Sequence, residues 1–121
     1  MKTKNTLVIG ASENQDRYSY KAIQSLLKHH HPIYAIGNKT GQVDGVEITK
    51  EKIKLDDLDT VTLYINPIRQ REYYDYIISL KPKRIIFNPG TENEELESLA
   101  RQNNIQTIEA CTLVMLRIGQ Y

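Results

Sequence analysis

Only one cysteine, Cys111, occurs in the 121 residues. No disulfide can form within the chain, which fits a reducing compartment. Excess charge of either sign is missing too: 16 Lys and Arg stand against 15 Asp and Glu, a formal net charge of +1. No strong overall field therefore draws the chain to nucleic acid or to a membrane surface. Long apolar runs are absent. The first follows the polar start Met1-Lys2-Thr3-Lys4-Asn5 and ends within a few residues, too short for a signal-peptide core and far too short to span a bilayer. There is no internal repeat, low-complexity stretch or linker. These absences lead us to expect one cytoplasmic domain over residues 1–121, a size at which roughly two-thirds of the unfolded surface can be buried.

Five short apolar runs are what the chain does have, and nearly every one ends in residues suited to gripping a ligand. Thr6-Leu7-Val8-Ile9 leads into Gly10-Ala11-Ser12, and Ile33-Tyr34-Ala35-Ile36 into Gly37-Asn38-Lys39. Thr60 to Ile65 leads into Asn66-Pro67, Arg84-Ile85-Ile86-Phe87 into Asn88-Pro89-Gly90-Thr91, and Ile105 to Ile108 into Glu109-Ala110-Cys111-Thr112. Helical patterns alternate with these runs, which predicts an α/β three-layer fold: a five-stranded, mainly parallel sheet with helices on both faces. Right-handed crossovers from a central first strand give the expected order 3-2-1-4-5. Such a sheet binds its ligand outside the carboxyl ends of its strands, so the special residues should meet in one crevice.

The helices have recognisable starts. One is expected from Ser19, as N-cap, towards His30, burying Ala22, Ile23, Leu26 and Leu27. Asn66-Pro67 opens another with a good cap and a pre-set φ, carrying Tyr73, Tyr74, Ile77, Ile78 and Leu80 and stopping before Pro82. Thr91-Glu92-Asn93-Glu94 matches a capping box with Thr91 as cap, ahead of Leu96, Leu99 and Ala100. Thr112 to Leu116 reads as a short closing helix. Between the second and third strands no clear helix appears, and Gly41 and Gly45 bracket a small strand or hairpin around Val43 to Ile48.

A nucleotide pyrophosphate needs free backbone N–H groups and the positive end of a helix. Gly10 allows a sharp turn and close approach, Ser12 adds a hydroxyl and Arg17 a fork of donors. The second and third glycines of the dinucleotide fingerprint are missing, and no Gly-Lys-Ser/Thr follows, which excludes a P-loop. By spacing alone, Gly10 also fits a simple tight turn. After the second strand, Gly37-Asn38-Lys39 offers a cation where proteins that select NAD often place a carboxylate. That suits a ribose bearing a phosphate, as in coenzyme A or NADP; Lys39 also fits a solvated loop.

Leu7-Val8-Ile9-Gly10-Ala11-Ser12 followed by Arg17-Tyr18-Ser19 resembles the opening of the small CoA-binding domain proteins, which are similar to the N-terminal domain of the succinyl-CoA synthetase α subunit. The resemblance continues through Ala35-Ile36-Gly37-Asn38, Asn66-Pro67, Phe87-Asn88-Pro89-Gly90 and Glu109-Ala110-Cys111. It implies a Rossmann-like, nucleotide-binding fold that holds coenzyme A at the strand ends. Phosphates would fall to Gly10, Ala11, Ser12, Arg17 and the helix start at Ser19, and the ribose phosphate to Gly37, Asn38 and Lys39. Adenine and pantetheine would lie by Asn66, Pro67, Asn88, Pro89 and Gly90. Many relatives carry Val-Asn-Pro after the second strand, where this chain has Ile36-Gly37-Asn38-Lys39. The synthetase's second domain and its phosphorylated histidine have no counterpart here.

Other residues invite chemistry. Cys111, at the last strand's end, is the one weak catalytic candidate, as a thiol able to exchange with CoA disulfides; a structural cysteine is the blander reading. His29-His30-His31 are consecutive and cannot easily share one ion, so no metal site is expected; capping and solvent exposure suit them better. Tyr73, Tyr74 and Tyr76 with Arg69 and Arg71 could form a dimer face, though tyrosines at helical spacing more often pack on the sheet. No Ser-His-Asp arrangement or carboxylate pair presents itself. The residues favour a non-catalytic CoA or acyl-CoA binding module, alone, as a homodimer, or beside a larger acyl-CoA enzyme, with no nucleic-acid or membrane partner. An NADP-binding protein or a Cys111-dependent thiol enzyme is the alternative.

Overall fold

The structure is a computed structural model and describes residues 2–121. Seven strands form one sheet: β1 (Thr6–Ile9), β2 (Ile33–Ile36), β3 (Gly41–Val43), β4 (Val46–Thr49), β5 (Thr60–Leu63), β6 (Arg84–Phe87) and β7 (Gln106–Glu109). The helices are α1 (Tyr18–Lys28), α2 (Pro67–Gln70), α3 (Tyr74–Leu80), α4 (Glu94–Gln102) and α5 (Thr112–Arg117), with a 3₁₀ turn at Arg71–Tyr73 joining α2 to α3. The α/β, mostly parallel Rossmann-like arrangement agrees with the sequence.

Strand number and order do not. The observed order is β3-β4-β2-β1-β5-β6-β7, so the third long strand lies beside the first and not beside the second as the order 3-2-1-4-5 required. Two short strands account for this. β3 and β4 pair antiparallel, and β4 lies parallel to β2 through Ala35↔Ile48 and Ile36↔Thr49. The hairpin thereby occupies the outer side of β2. The chain must return to the free side of β1, where Asp59 and Thr60 both donate N–H groups to the Asn5 carbonyl at 3.0 Å and β5 pairs in register with β1.

Burial follows from that order. β1 and β5 are buried along their whole length, because each has neighbours on both sides and helices on both faces. On one face Ile23 and Leu26 of α1 and Leu116 of α5 pack over Val8 and Ala35. On the other, Ile77 of α3 and Leu96 and Ala100 of α4 pack over Leu7, Ile9, Leu63, Ile85 and Phe87. Each fully buried Leu or Ile contributes about 1.5–3 kcal/mol. Tyr73 is buried there and Tyr74 and Tyr76 pack half-buried against the same cluster, so these tyrosines mainly serve the core.

Helix starts depart from expectation in two places. α1 begins at Tyr18 with Arg17 at the N-cap, whose side chain makes no capping bond; Ser19 lies inside the first turn and is buried. Asn93, not Thr91, caps α4, its Oδ1 accepting from Leu96 N at 3.2 Å. Thr91 instead donates its hydroxyl to the Asn88 carbonyl at 2.8 Å, which closes the β6–α4 turn. Asn66 caps α2 as the sequence indicates, accepting from Arg69 N at 2.9 Å. The histidines also divide: His29 is the C-cap of α1, His30 is exposed, and His31 is buried, its Nδ1 accepting the Lys4 N–H at 2.9 Å. The expected solvent exposure therefore fails at His31, because its N–H turns back to the Leu26 carbonyl at 3.1 Å and its ring packs 4.7 Å from that of Tyr121.

Candidate functional site

β1 sends the chain to α1 and β2 on one side, while β5 lies on the other. The carboxyl ends of β1 and β5 thus diverge, and open α/β sheets place ligands at such a switch point. A cavity of about 310 Å³ occupies it, bounded by the β1–α1 loop, the end of β2, the β5–α2 turn and Pro89-Gly90-Thr91. Its size lies at the small end of ligand sites, roughly 300–1,000 Å³.

Gly10 makes the floor. Its φ is +98°, and a Cβ there would stand 2.7 Å from the Tyr64 carbonyl oxygen and 2.8 Å from Ile65 Cγ2. Only glycine fits, since the turn needs both the conformation and the contact. The amides of Gly10 and Ala11 are already used: both donate to the Ile36 carbonyl, at 2.8 and 3.0 Å. That bond holds the loop against β2, and a Cβ on Gly37 would fall on the Ala11 carbonyl. Farther along, Asn14 N–H donates to Ser12 Oγ at 3.0 Å and Gln42 N–H to Glu13 Oε2 at 2.9 Å. The loop is therefore braced to β2 and to the edge strand β3.

The start of α1 is braced differently. No side chain caps it, whereas Asn66 and Asn93 cap α2 and α4. The first N–H groups of a helix have no partner within it, and the dipole adds partial positive charge there. Arg17, Tyr18 and Ser19 at this start line the cavity. Arg69, third residue of α2, lines it from the opposite side. Both arginines are exposed, and no Asp or Glu is in the lining.

Two buried polar networks fix the walls. Gln70 is fully buried; its Nε2 donates to the Ile65 and Thr91 carbonyls at 2.9 and 2.8 Å, and its Oε1 accepts from Asn93 at 2.9 Å. It ties α2 to the ends of β5 and β6. Asn88 donates to Thr62 Oγ1 at 2.7 Å and to the Leu63 carbonyl at 2.8 Å, and accepts the Thr112 N–H at 2.9 Å. It joins β5, β6 and α5. Satisfied buried networks of this kind hold their elements rigidly.

Of the residues singled out in the sequence, Gly10, Ala11, Ser12, Arg17, Ser19, Gly37, Asn38, Asn66, Pro89 and Gly90 all line the cavity. Lys39 lies in an adjoining depression of about 260 Å³, which shares Ala11, Ser12 and Asn38 with the main one. Pro67 stands outside the lining as the first residue of α2. Asn88 does too, being 2% exposed and wholly engaged in its network. Cys111 is half-exposed at the N-cap of α5 and is not in the lining. Thr91, one of the strand-end residues expected in the crevice, lines the cavity too, and Tyr18, Tyr64, Ile65, Arg69 and Tyr73 line it without having been anticipated there. Burial raises the phenols of Tyr64 and Tyr73 above their ordinary range, which keeps both neutral.

The sequence profile of the CoA binding domain family matches residues 4–117. The chain belongs to that family. Among solved structures, a crystal structure of an uncharacterised protein shares 49% identity at a TM-score of 0.97, with all of both chains covered. A hypothetical protein from Pyrococcus horikoshii OT3 aligns at 22% identity and a TM-score of 0.87, over 97% of this chain and 84% of that one. A dinucleotide-forming acetyl-coenzyme A synthetase from Candidatus Korarchaeum cryptofilum, in complex with phosphate and ADP, aligns at 17% identity and a TM-score of 0.72. That alignment covers 88% of this chain and 25% of the synthetase. The two distant likenesses establish shared fold. No curated protein matches the chain. Family membership makes coenzyme A the ligand to test against the cavity. No helix is long and apolar enough to cross a membrane among the described residues.

Proposed function

We propose that the cavity binds coenzyme A or an acyl-CoA, and that the chain is a binding module and not an enzyme. The observation that carries this reading is the uncapped start of α1, opening into the crevice between Arg17 and Arg69 with no carboxylate in the lining. Unpaired helix amides and two guanidinium groups suit a diphosphate. Gly10 lets the backbone come close to it. Asn38 and Lys39, at the end of β2, suit a ribose bearing a phosphate. Pro89, Gly90 and Asn66 are positioned to flank the rest of the nucleotide and the pantetheine arm.

The absence of catalytic groups from the lining supports a holding role. It contains no imidazole, thiol or carboxylate, and its buried phenols are poor acids at neutral pH. The likeness to part of an acetyl-coenzyme A synthetase, together with the resemblance to the succinyl-CoA synthetase α subunit, supports work beside a larger acyl-CoA enzyme. We place that work in the cytoplasm, in one domain.

Calorimetric titration with CoA, NADPH and NAD tests the reading. CoA should bind, and Arg17→Ala and Arg69→Ala should each weaken it by roughly ten- to hundredfold, because a charged hydrogen bond is worth about 1.5–3 kcal/mol. Binding should also weaken as salt rises. Absence of CoA binding at millimolar concentration overturns the reading; tighter binding of NADPH replaces it with the NADP alternative.

A further inference from the structure

Tyr18 is the first residue of α1 and lines the cavity, yet it is 68% exposed and joins neither core cluster. A ring left in water forgoes the burial that its area would otherwise reward. One face is occupied: Lys21, three residues on and so beside it on the helix, holds its Nζ 5.5 Å from the ring centroid. No aromatic side chain stacks on Tyr18 among the described residues. The other two tyrosines of the lining offer no such surface. Tyr73 is 8% exposed within the core, and Tyr64 is half-buried against the α1 side of the sheet.

We propose that Tyr18 is a stacking platform for the base of the bound nucleotide, so that the site reads a nucleobase in addition to phosphate. This rests on the reading of the crevice as a CoA site. The reasoning runs through connectivity. The unpaired amides that suit the diphosphate begin at Tyr18 itself, and the base of an adenine nucleotide is one ribose away from that diphosphate. A ring at the amide-bearing position, open on the side away from Lys21, is therefore within the span of the ligand. Stacking needs no hydrogen-bond pattern, since every base has a π-face. The Lys21 ammonium adds positive charge beside Arg17, which favours an anionic nucleotide over an uncharged aromatic.

Tyr18→Phe, Tyr18→Leu and Tyr18→Ala are compared with the unaltered chain for CoA, free ADP and 4′-phosphopantetheine, by calorimetry and by the proton NMR shifts of the bound adenine. At 68% exposure, none of these changes should unfold the chain. The expected result is a loss of about five- to hundredfold for CoA and ADP in the Leu and Ala variants. Phosphopantetheine should be unaffected, the Phe variant should bind as the parent does, and an upfield ring-current shift of the adenine protons should vanish with Leu. Equal affinity and equal shifts in parent and Leu variant overturn the proposal. So does an equal loss for all three ligands, which would mean that Tyr18 supports the helix start only. If CoA fails to bind the unaltered chain, the functional reading falls, and the ADP arm alone decides the role of Tyr18.

Discussion

Gly10 provides the sharpest test of how the cavity is built, because two costs coincide there and each can be isolated elsewhere in the chain. Gly10→Ala would place a Cβ 2.7 Å from the Tyr64 carbonyl oxygen at a φ of +98°. Gly90 shares the conformation, with a φ of +90°, but a Cβ there meets nothing within 4 Å. Gly37 has no such φ, but its Cβ would fall on the Ala11 carbonyl. Positive φ costs an alanine roughly 1–3 kcal/mol, partly offset by about 0.4–1 kcal/mol from a stiffer unfolded chain. Overpacking against backbone costs about 1–3 kcal/mol. Gly90→Ala and Gly37→Ala should therefore each lose about 1–2 kcal/mol, and Gly10→Ala, which carries both costs, about 3–4, a large share of a typical total of roughly 5–15 kcal/mol. Urea unfolding of the three variants measures this, with m-values checked for constancy. The strand-end packing is refuted if Gly10→Ala lies within about 1 kcal/mol of Gly90→Ala. That outcome would mean β5 can shift away, and the cavity floor would not be the fixed surface described above.

Asn88→Ala should destabilise by about 2–4 kcal/mol, since it strands the buried Thr112 N–H and takes a donor from the Leu63 carbonyl and from Thr62 Oγ1, which keeps only its bond to Thr112 Oγ1; urea unfolding measures it, and a cost below about 0.5 kcal/mol would contradict the network. His31 gives a pH dependence. Its pKa is lowered, first by burial and then by the neighbouring His29, Lys4 and Arg84 side chains, against Asp59, which raises it. The unfolded chain therefore takes up this proton first, so stability should be full above pH 6.5 and fall as pH drops through that value. His31→Gln should flatten that slope in unfolding scans between about pH 7 and 5, and an unchanged slope would assign it to other groups. Alkylation of Cys111 should proceed equally with and without CoA, because the thiol lies outside the cavity lining; protection by CoA would bring Cys111 back into the site.

Much of what depended on local chemistry could be read from the chain. The glycine at the end of β1, the Asn66-Pro67 helix start and the short β-branched runs each have a cause within a few residues. Strand order has no such cause. It depends on which side of β2 remains free, and that was decided by β3 and β4: Gly41 and Gly45 marked a hairpin there, but nothing within its seven strand residues, Gly41–Val43 and Val46–Thr49, shows that it pairs with β2. Two cap assignments failed for a related reason. Ser19 and Thr91 are good caps in isolation, but Asn93 competes with Thr91 within the same stretch and ranks higher as a cap, while Asn88 draws the Thr91 hydroxyl into the preceding turn.

The failed cap at Ser19 bears on function as well as on boundaries. Had Ser19 capped α1, its hydroxyl would have satisfied an amide two or three residues on and blunted the helix start. With Arg17 at that position and Ser19 buried, the N–H groups of the first turn meet no side-chain cap, at the crevice that opens between the ends of β1 and β5. Local rules assume that each helix end satisfies itself, and binding sites arise where one does not. The lining residues that went unanticipated follow the same logic. Arg69 is the third residue of a helix whose cap was legible, and a capped start aimed at the switch point carries its first turn to the cavity. The residue three beyond Asn66 could have been placed there by helix geometry alone, once β5 was known to lie beside β1.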